Sequence, residues 1–348
     1  MFVGIKSPQV VAPVGGSARA DTPGVLEIGG SRYAVIALIT CITGFAGRFL
    51  AEHLVACGDQ VMGTVRDLTR LPQQDPSWLN SIHVVPWDLA THIPAETRSQ
   101  IAKFAPETIF HLASISRPAD CGDKQPHDMA VRVNVEGTRS VIQLTLSLGS
   151  PARLVFASSA YVYRVPPKVR WQVTEDAPQE PTSAYGKTKL WAEKEVLKAI
   201  DTDGLDGVIL RAFQHTGPRQ PARFMLPEWT AQLVLGTDPL PVLSLDSHLD
   251  LSDVRDVVRA YRHVAQSGNP HTVLNVGSGR SWRSGDVLEL LLRTAGSNHR
   301  IQEIHPGVRA HPIADIGRIT ATTAWAPEIP LEQTVRDTLA YWRKKSET

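Results

Sequence analysis

Cysteine is scarce in this 348-residue chain: Cys41, Cys57 and Cys121 are three in number and scattered. An odd, dispersed set excludes a disulfide framework, fits a reducing cytoplasm and offers no metal-ligand spacing, so no metal is expected. Charge of one sign is equally absent, since 36 Lys and Arg face 35 Asp and Glu for a net charge of +1. That balance gives no basic track for nucleic acid and no cationic face for an anionic membrane. No apolar run approaches the roughly 18 residues of a membrane span. The opening MFVGIKSPQVVAPVGG lacks the basic-then-apolar order of a secretory signal. Neither a nucleic-acid partner nor a membrane partner is therefore expected, and the expected location is the cytoplasm.

What is present is a hydrophobic share of 42%, ordinary for a globular core. Residues 1–32, rich in Gly, Pro, Ser and Ala without a period, read as a poorly ordered leader. From Tyr33 the texture changes. Tyr33–Thr40 is a continuous apolar run of strand length, the kind buried on both faces of a parallel sheet. Further strands are expected at Gln60–Val65, Ser81–Trp87, Glu107–Ala113, Ala152–Ser158 and Gly207–Phe213, with helices between them, clearest at Val131–Leu148 and Ser183–Ile200. This alternation predicts an α/β fold, a doubly wound parallel (Rossmann) sheet with right-handed crossovers. Beyond Phe213 proline density rises, and short helices around Asp253–Gln266, Ser284–Thr294 and Leu331–Lys344 mix with strand fragments such as Thr272–Gly277. The expected organisation is a dinucleotide-binding domain over 33–213 and a smaller mixed C-terminal lobe over 214–348. That lobe would bind mainly substrate, the chain passing between the two parts.

The first strand runs into Thr40–Leu54, TCITGFAGRFLAEHL. Gly44 and Gly47 stand where a dinucleotide turn needs close approach to a pyrophosphate and tight helix–strand packing. Thr43, Gly44, Phe45, Ala46 and Gly47 then open a helix whose amides and dipole face the phosphates. Cys41 occupies the position of the first glycine in a TGxxGxxG pattern, so strain or weakened cofactor binding is expected there. Nineteen residues after Gly47, the second strand ends in Val65-Arg66-Asp67. Arg66 suits the extra phosphate of NADP, whereas an acidic neighbour such as Asp67 leaves NAD open. Asp88, with Leu89, follows the third strand and would lie near the adenine, or else be a helix cap or surface charge.

Tyr185 and Lys189 are four apart on an expected helix, so they share a face about 6 Å apart along the axis. A phenol there would exchange a proton with a carbonyl or alcohol as hydride moves, with the ammonium lowering its pKa and holding the cofactor ribose. Tyr341–Lys345 repeats the spacing. Tyr185, however, follows a strand ending in SSAYVY, while Tyr341 lies in a basic terminal helix.

The chain resembles the extended short-chain dehydrogenase/reductases, the NAD-dependent epimerase/dehydratase group acting on nucleotide sugars. The resemblance rests on the GFAG turn, Asp88-Leu89, Pro106–Ser114, Asn134–Thr138, SSAYVY, Tyr185–Lys189, Arg211–Gln220, Asp253–Val258 and Asn275–Ser281, in that order. Within the group it is most similar to GDP-4-keto-6-deoxymannose reductases. The resemblance implies Tyr185 as acid/base, Lys189 as its partner and Ser159 as the hydroxyl on the substrate oxygen. It also implies that His111, Leu112, Ala113 and Ser114 line the cofactor and that Asn134 supports them. For Ser158 a capping or packing role is expected.

Family dehydratases carry an acidic pair just after the catalytic hydroxyl; here those positions are Ala160 and Tyr161, which implies reduction or epimerisation and not elimination. Gln214 replaces a usual Asn, and Leu249 a usual Arg. Ser116, Ala160, Gln214, Arg219, Arg255 and Arg309 are the expected substrate contacts, each arginine having a plain surface alternative. Cys121 reads as a small buried filler. The expected reaction is NADP(H)-dependent reduction of a 4-keto group on a nucleotide-activated deoxysugar. The alternatives are an epimerase with retained cofactor or a catalytically weak binding relative. A homodimer is implied by analogy.

Overall fold

The computed structural model describes residues 34–71, 79–166, 169–267 and 273–347; the expected leader lies outside them. The first apolar run is β1 (Ile36–Thr40), and the glycine turn opens α1 (Phe45–Ala56). Then follow β2 (Gln60–Val65), β3 (His83–Pro86), α2 (Ala95–Phe104) and β4 (Thr108–His111). One helical stretch runs from α3 (Asp128–Val131) through a π turn (Arg132–Glu136) into α4 (Gly137–Leu146). Next come β5 (Arg153–Ser159), the short β6 (Gln172–Val173), α5 (Ala184–Asp203) and β7 (Gly207–Ala212). Beyond them lie β8 (Gln214–Thr216), α6 (Met225–Val234), β9 (Leu240–Val242), β10 (Ser247–Asp253), α7 (Val254–Gln266) and β11 (Val273–Val276). The last elements are β12 (Ser281–Arg283), α8 (Ser284–Ala295), β13 (Ile301–Glu303), β14 (Arg309–Ala310), β15 (Ile313–Ala314), α9 (Gly317–Thr323) and α10 (Leu331–Ser346).

Seven parallel strands form the central sheet in the order β11-β7-β5-β4-β1-β2-β3. Near-continuous apolar strands such as Ile36–Thr40 and Thr108–His111 can sit there because helices cover both faces. On one face the core joins β1 and β2 to Leu50 and Leu54 of α1 and Val257 and Tyr261 of α7. The other face joins Leu38, Ile109 and Phe156 to Val141 of α4 and Val196 of α5. The doubly wound α/β fold read from the strand–helix alternation is therefore the fold that forms. Its strand order reverses between β1 and β4, the position at which open α/β sheets bind their ligands.

Two elements from beyond residue 213 join this layer: α7 packs on α1, and β11 pairs with β7. A second core, built from α6, β9, β10, α8 and α10, gathers Trp229, Leu240, Leu251, Leu288, Val335 and their neighbours. Residues 34–348 nonetheless form one compact unit.

Asp59 ties the cofactor-side layer together. Its buried carboxylate accepts from the Val35 amide at 2.9 Å and from Arg262 of α7 at 2.7 and 3.1 Å, joining the entries of β1 and β2 to α7. Removing one partner strands the other charge, at a cost of about 3–5 kcal/mol, whereas removing both is far milder. Asp59→Ala should lower stability by that amount in urea unfolding, and Asp59→Ala with Arg262→Met should recover most of it.

Candidate active site

β1 ends in Thr40, and Cys41 follows with φ 59°, in the left-handed region that only glycine enters cheaply. The turn needs that conformation to return the chain towards α1: the Gly44 amide donates to the Cys41 carbonyl at 2.9 Å. A Cβ on Gly47 would stand 2.3 Å from the same carbonyl oxygen, so Gly47 is dictated by the approach of helix to turn. No side chain caps α1 and no acidic residue lies in its first turn, which leaves its amides and positive dipole end to an anion. Burial pushes the Cys41 thiol up, and the Gly44 amide and the Arg66 charge bring it only part of the way back, so it stays protonated. Thr43 is exposed, Ala46 half-buried, and Phe45 stacks on His215 with centroids 6.1 Å apart. This glycine cradle and its uncapped helix fit a dinucleotide pyrophosphate.

Arg66 is exposed just past β2, and its charge reaches Cys41. Asp67 accepts from the Thr69 amide at 2.9 Å and caps the next turn. Asp88 likewise accepts from the Ala90 amide at 3.0 Å, and Leu89 is buried against Gly137.

A buried chain of neutral hydrogen bonds crosses from this turn to α5. The Leu112 and Ala113 amides both donate to the Thr40 hydroxyl at 3.0 Å, closing the ends of β1 and β4 together. The Thr138 hydroxyl donates to the Asn134 carbonyl, so it accepts from His111 Nε2–H, and His111 Nδ1 must then accept from Thr40. Burial, with the Lys189 charge, drives the His111 pKa down to about 3, so the ring stays neutral. The Asn134 amide pairs with both backbone groups of Ile115, at 2.8 and 3.1 Å, and donates to Thr188 of α5 at 3.0 Å. Asn134 sits in the π turn, a distortion that often accompanies functional sites and that no sequence pattern announced. Cys121, fully buried, donates to the Ile115 carbonyl at 3.2 Å and is the small filler expected.

α5 brings Tyr185 and Lys189 to the end of this chain. Ser183 caps the helix through the Gly186 amide at 3.1 Å, and a Cβ on Gly186 would stand 2.2 Å from the Tyr161 carbonyl. Glycine there lets the helix start press onto the turn after β5. Burial pushes the Tyr185 phenol well above its usual range, and the Ser159 and Ser114 hydroxyls lower it only in part. In the free chain desolvation is the largest influence on the phenol. Burial also brings Lys189 down to about 8, and its ammonium lies 4.5 Å from the Phe156 ring centroid. The capping role expected for Ser158 falls to Ser159, whose hydroxyl accepts from the Tyr161 amide at 3.2 Å. Ser158 instead donates to the buried Glu193 carboxylate. The rival pair Tyr341–Lys345 closes α10 at the surface, with Lys345 over the Trp342 ring.

The expected substrate contacts divide. Ser116 is exposed, and Ala160 is buried at the start of the turn after β5. Arg219 is not a free cation: it forms a bidentate pair with Glu52 of α1, 2.6 Å on each oxygen, over the Phe49 ring. Arg255 is held by Asp253 and Asp337, each at 2.7 Å. In each case the tertiary fold brings an acidic residue alongside the arginine. Burial pushes the Tyr161 phenol up and the nearby Gln214 amide opposes it, while Gln214 Oε1 is buried without a partner among the described residues. Tyr161 packs edge-on against both Tyr185 and His311, centroids 5.7 and 6.4 Å away. Burial and the Arg309 charge keep His311 neutral. Tyr161 and His311 were not named as site residues from sequence; His311 lies 126 positions from Tyr185, with no motif joining them.

A strand-order reversal at the sheet's carboxyl edge, an open helix start and a buried Tyr–Lys pair beside Ser159 define a dinucleotide-dependent enzyme of the short-chain type. The chain belongs to the NAD dependent epimerase/dehydratase family, which it matches over residues 37–277. It is 27% identical over 305 residues to a dTDP-6-deoxy-L-talose 4-dehydrogenase (NAD(P)(+)) of Kitasatospora kifunensis, covering 85% of this chain and 92% of that one. It is 26% identical to a GDP-6-deoxy-D-mannose reductase of Pseudomonas aeruginosa, covering 88% and 97%. The solved structure of RMD from Pseudomonas aeruginosa complexed with NADPH superposes with a TM-score of 0.75 at 24% identity, covering 90% and 98%. The protein is thus an NAD(P)-dependent enzyme of the extended short-chain type. No described helix is long and apolar enough to cross a membrane.

Cys41→Gly should relieve left-handed strain of about 1–2 kcal/mol, raising Tm and tightening NADPH binding in a titration. Equal or weaker binding would refute the strain argument. Gly47→Ala should abolish binding, since its Cβ collides with backbone.

Proposed function

We propose that this enzyme reduces a 4-keto group on a nucleotide-activated deoxysugar with NADPH. The observation that carries the proposal is a buried, proton-bearing Tyr185 phenol facing Ser159, beside a turn whose Ala160 and Tyr161 supply no carboxylate. Reduction of a carbonyl calls for a proton donor, and burial keeps that proton in place. Elimination of water would call for an acid and a base that this turn does not have. The two curated relatives, named for redox enzymes of nucleotide 6-deoxysugars, support the substrate class.

NADPH is favoured because Arg66 is exposed at the end of β2 while Asp67 is engaged as a turn cap. Bound at the strand-order reversal, the nicotinamide would supply hydride to the carbonyl carbon. The Ser159 hydroxyl and the Tyr185 phenol hold the carbonyl oxygen, and Tyr185 passes its proton to that oxygen as the alcohol forms. Lys189 faces the phenolate left behind and stabilises its charge. Gln214 Oε1, an acceptor without a partner among the described residues, takes a donor from the sugar, and the neutral Tyr161 and His311 line a hydrogen-bonding wall suited to an uncharged ring. Arg309 remains for the diphosphate.

Purified protein should oxidise NADPH stoichiometrically when given a 4-keto-6-deoxy nucleotide sugar; conversion of a 4-hydroxy sugar to its 4-epimer without net NADPH use would show an epimerase instead. Tyr185→Phe should lower turnover at least about 100-fold with little change in NADPH affinity. Turnover should also decline as pH rises through about 8, where Lys189 loses its proton, and hold below it. Arg66→Ser should weaken NADPH binding and leave NADH binding unchanged.

A further inference from the structure

Residues 217–224, GPRQPARF, join β8 to α6, and no step above uses them. They are tied to two elements that flank the strand-order reversal. Arg219 holds Glu52 of α1 in its bidentate pair, 2.6 Å on each oxygen, with the guanidinium 3.9 Å from the Phe49 ring centroid. Arg223 donates to Asp120 of the loop after β4 at 3.0 Å, and Arg117 of that loop donates to the same carboxylate at 3.4 Å. At the root of the segment His215 stacks flat on Phe45, the first residue of α1, with ring planes 6° apart. We propose that residues 217–224 are a strap across the dinucleotide site, latched by these two ion pairs, which must open for the cofactor to enter or leave. The proposal rests on the reading of the glycine turn as the cofactor site.

The placement follows from the topology. β1 and β4 are neighbours in the sheet, and the chain leaves β1 for α1 on one face and β4 for α4 on the other. A segment paired to both α1 and the loop after β4 passes over the carboxyl edge between them, where open α/β sheets take their ligands. Its two arginines are joined by at most about 14 Å of chain. Glu52 lies about 10 Å along α1 from Phe45, so the latch stands away from the amides at the helix start.

The segment is built to move as a unit. Buried Gln220 accepts from the Thr216 hydroxyl at 2.7 Å and donates to the His215 carbonyl at 3.1 Å. The Gln220 and Phe224 amides turn back to the Gly217 and Pro221 carbonyls, at 3.4 and 3.3 Å, and Pro218 and Pro221 have no amide proton to satisfy. Among the described residues, no backbone hydrogen bond joins 217–224 to α1 or to the loop after β4. Opening the latches therefore frees only side chains that already meet water: Arg219 and Glu52 are 23% and 29% exposed, Arg223 and Asp120 50% and 37%. A loop held by backbone bonds would instead leave buried donors unpaired.

The test measures exchange and not turnover. Stopped-flow fluorescence of NADPH on the full chain gives its association and dissociation rates. A strap closed in the free chain obstructs both directions, so Glu52→Gln should raise both rates about 3- to 5-fold, the Kd changing much less than either. Arg219→Gln, which leaves the Arg48–Glu52 pair in place, should do the same. Opening both latches, Glu52→Gln with Asp120→Asn, should raise both rates about 10-fold. Wild-type rates in that double variant would overturn the strap and leave the cofactor site standing. So would faster dissociation with unchanged association, the pattern of a contact that merely steadies bound cofactor. A chain that binds neither NADPH nor NADH would overturn the cofactor reading and the strap together. Gated exchange in a protein that reduces no 4-keto nucleotide sugar would uphold the strap and overturn the proposed reaction.

Discussion

The Thr40 hydroxyl is the interaction on which the rest of the site depends. It takes two amides from the end of β4 and passes its own proton to His111, and the chain continues through Thr138 and Asn134 to Thr188 on α5. Every group in it is neutral and buried, so each lost bond would leave an unpaired polar group in a low-dielectric interior. The chain fixes the spacing between the glycine turn and Tyr185, which belong to opposite faces of the sheet. A cofactor lying over one and a proton donor carried by the other can meet only if that spacing holds.

Burial sets the chemistry of the groups so placed. Desolvation is the largest influence at Tyr185, His111 and Cys41, which all remain neutral. Lys189 is drawn down to about 8 yet keeps a carboxylate one turn away. The result is a donor phenol and a nearby cation in a wall of neutral hydrogen-bonding groups, Gln214, Tyr161 and His311. Two arginines that a charge count would assign to an anionic ligand, Arg219 and Arg255, are already neutralised by Glu52 and by Asp253 with Asp337.

Much of this was legible in the residues. The apolar runs read as parallel strands because a strand buried on both faces has no polar alternation to hide it. The glycine turn was legible through the close approach it demands, and Cys41 stood out against it; its left-handed backbone shows why glycine is the usual choice. The YGKTK segment carried its pairing in helical periodicity together with the SSAYVY strand end before it, since Tyr341–Lys345 repeats the spacing. The π turn was not legible, because one extra residue in a helix leaves no compositional mark. Nor were His311 and Tyr161, which approach Tyr185 from segments far apart along the chain.

The sequence by itself determined the fold class, the order of its elements and the identity of the Tyr185–Lys189 pair, since periodicity and turn chemistry act over a few residues. Only the tertiary structure decided which charges are free and which are spoken for. Arg66 stays exposed while Asp67 turns to cap its neighbour, Arg219 closes on Glu52, and Glu193 is buried with Arg211 behind Lys189. Ion pairing and desolvation depend on distances between residues up to 203 positions apart in the chain. Those distances exist only once the chain has folded.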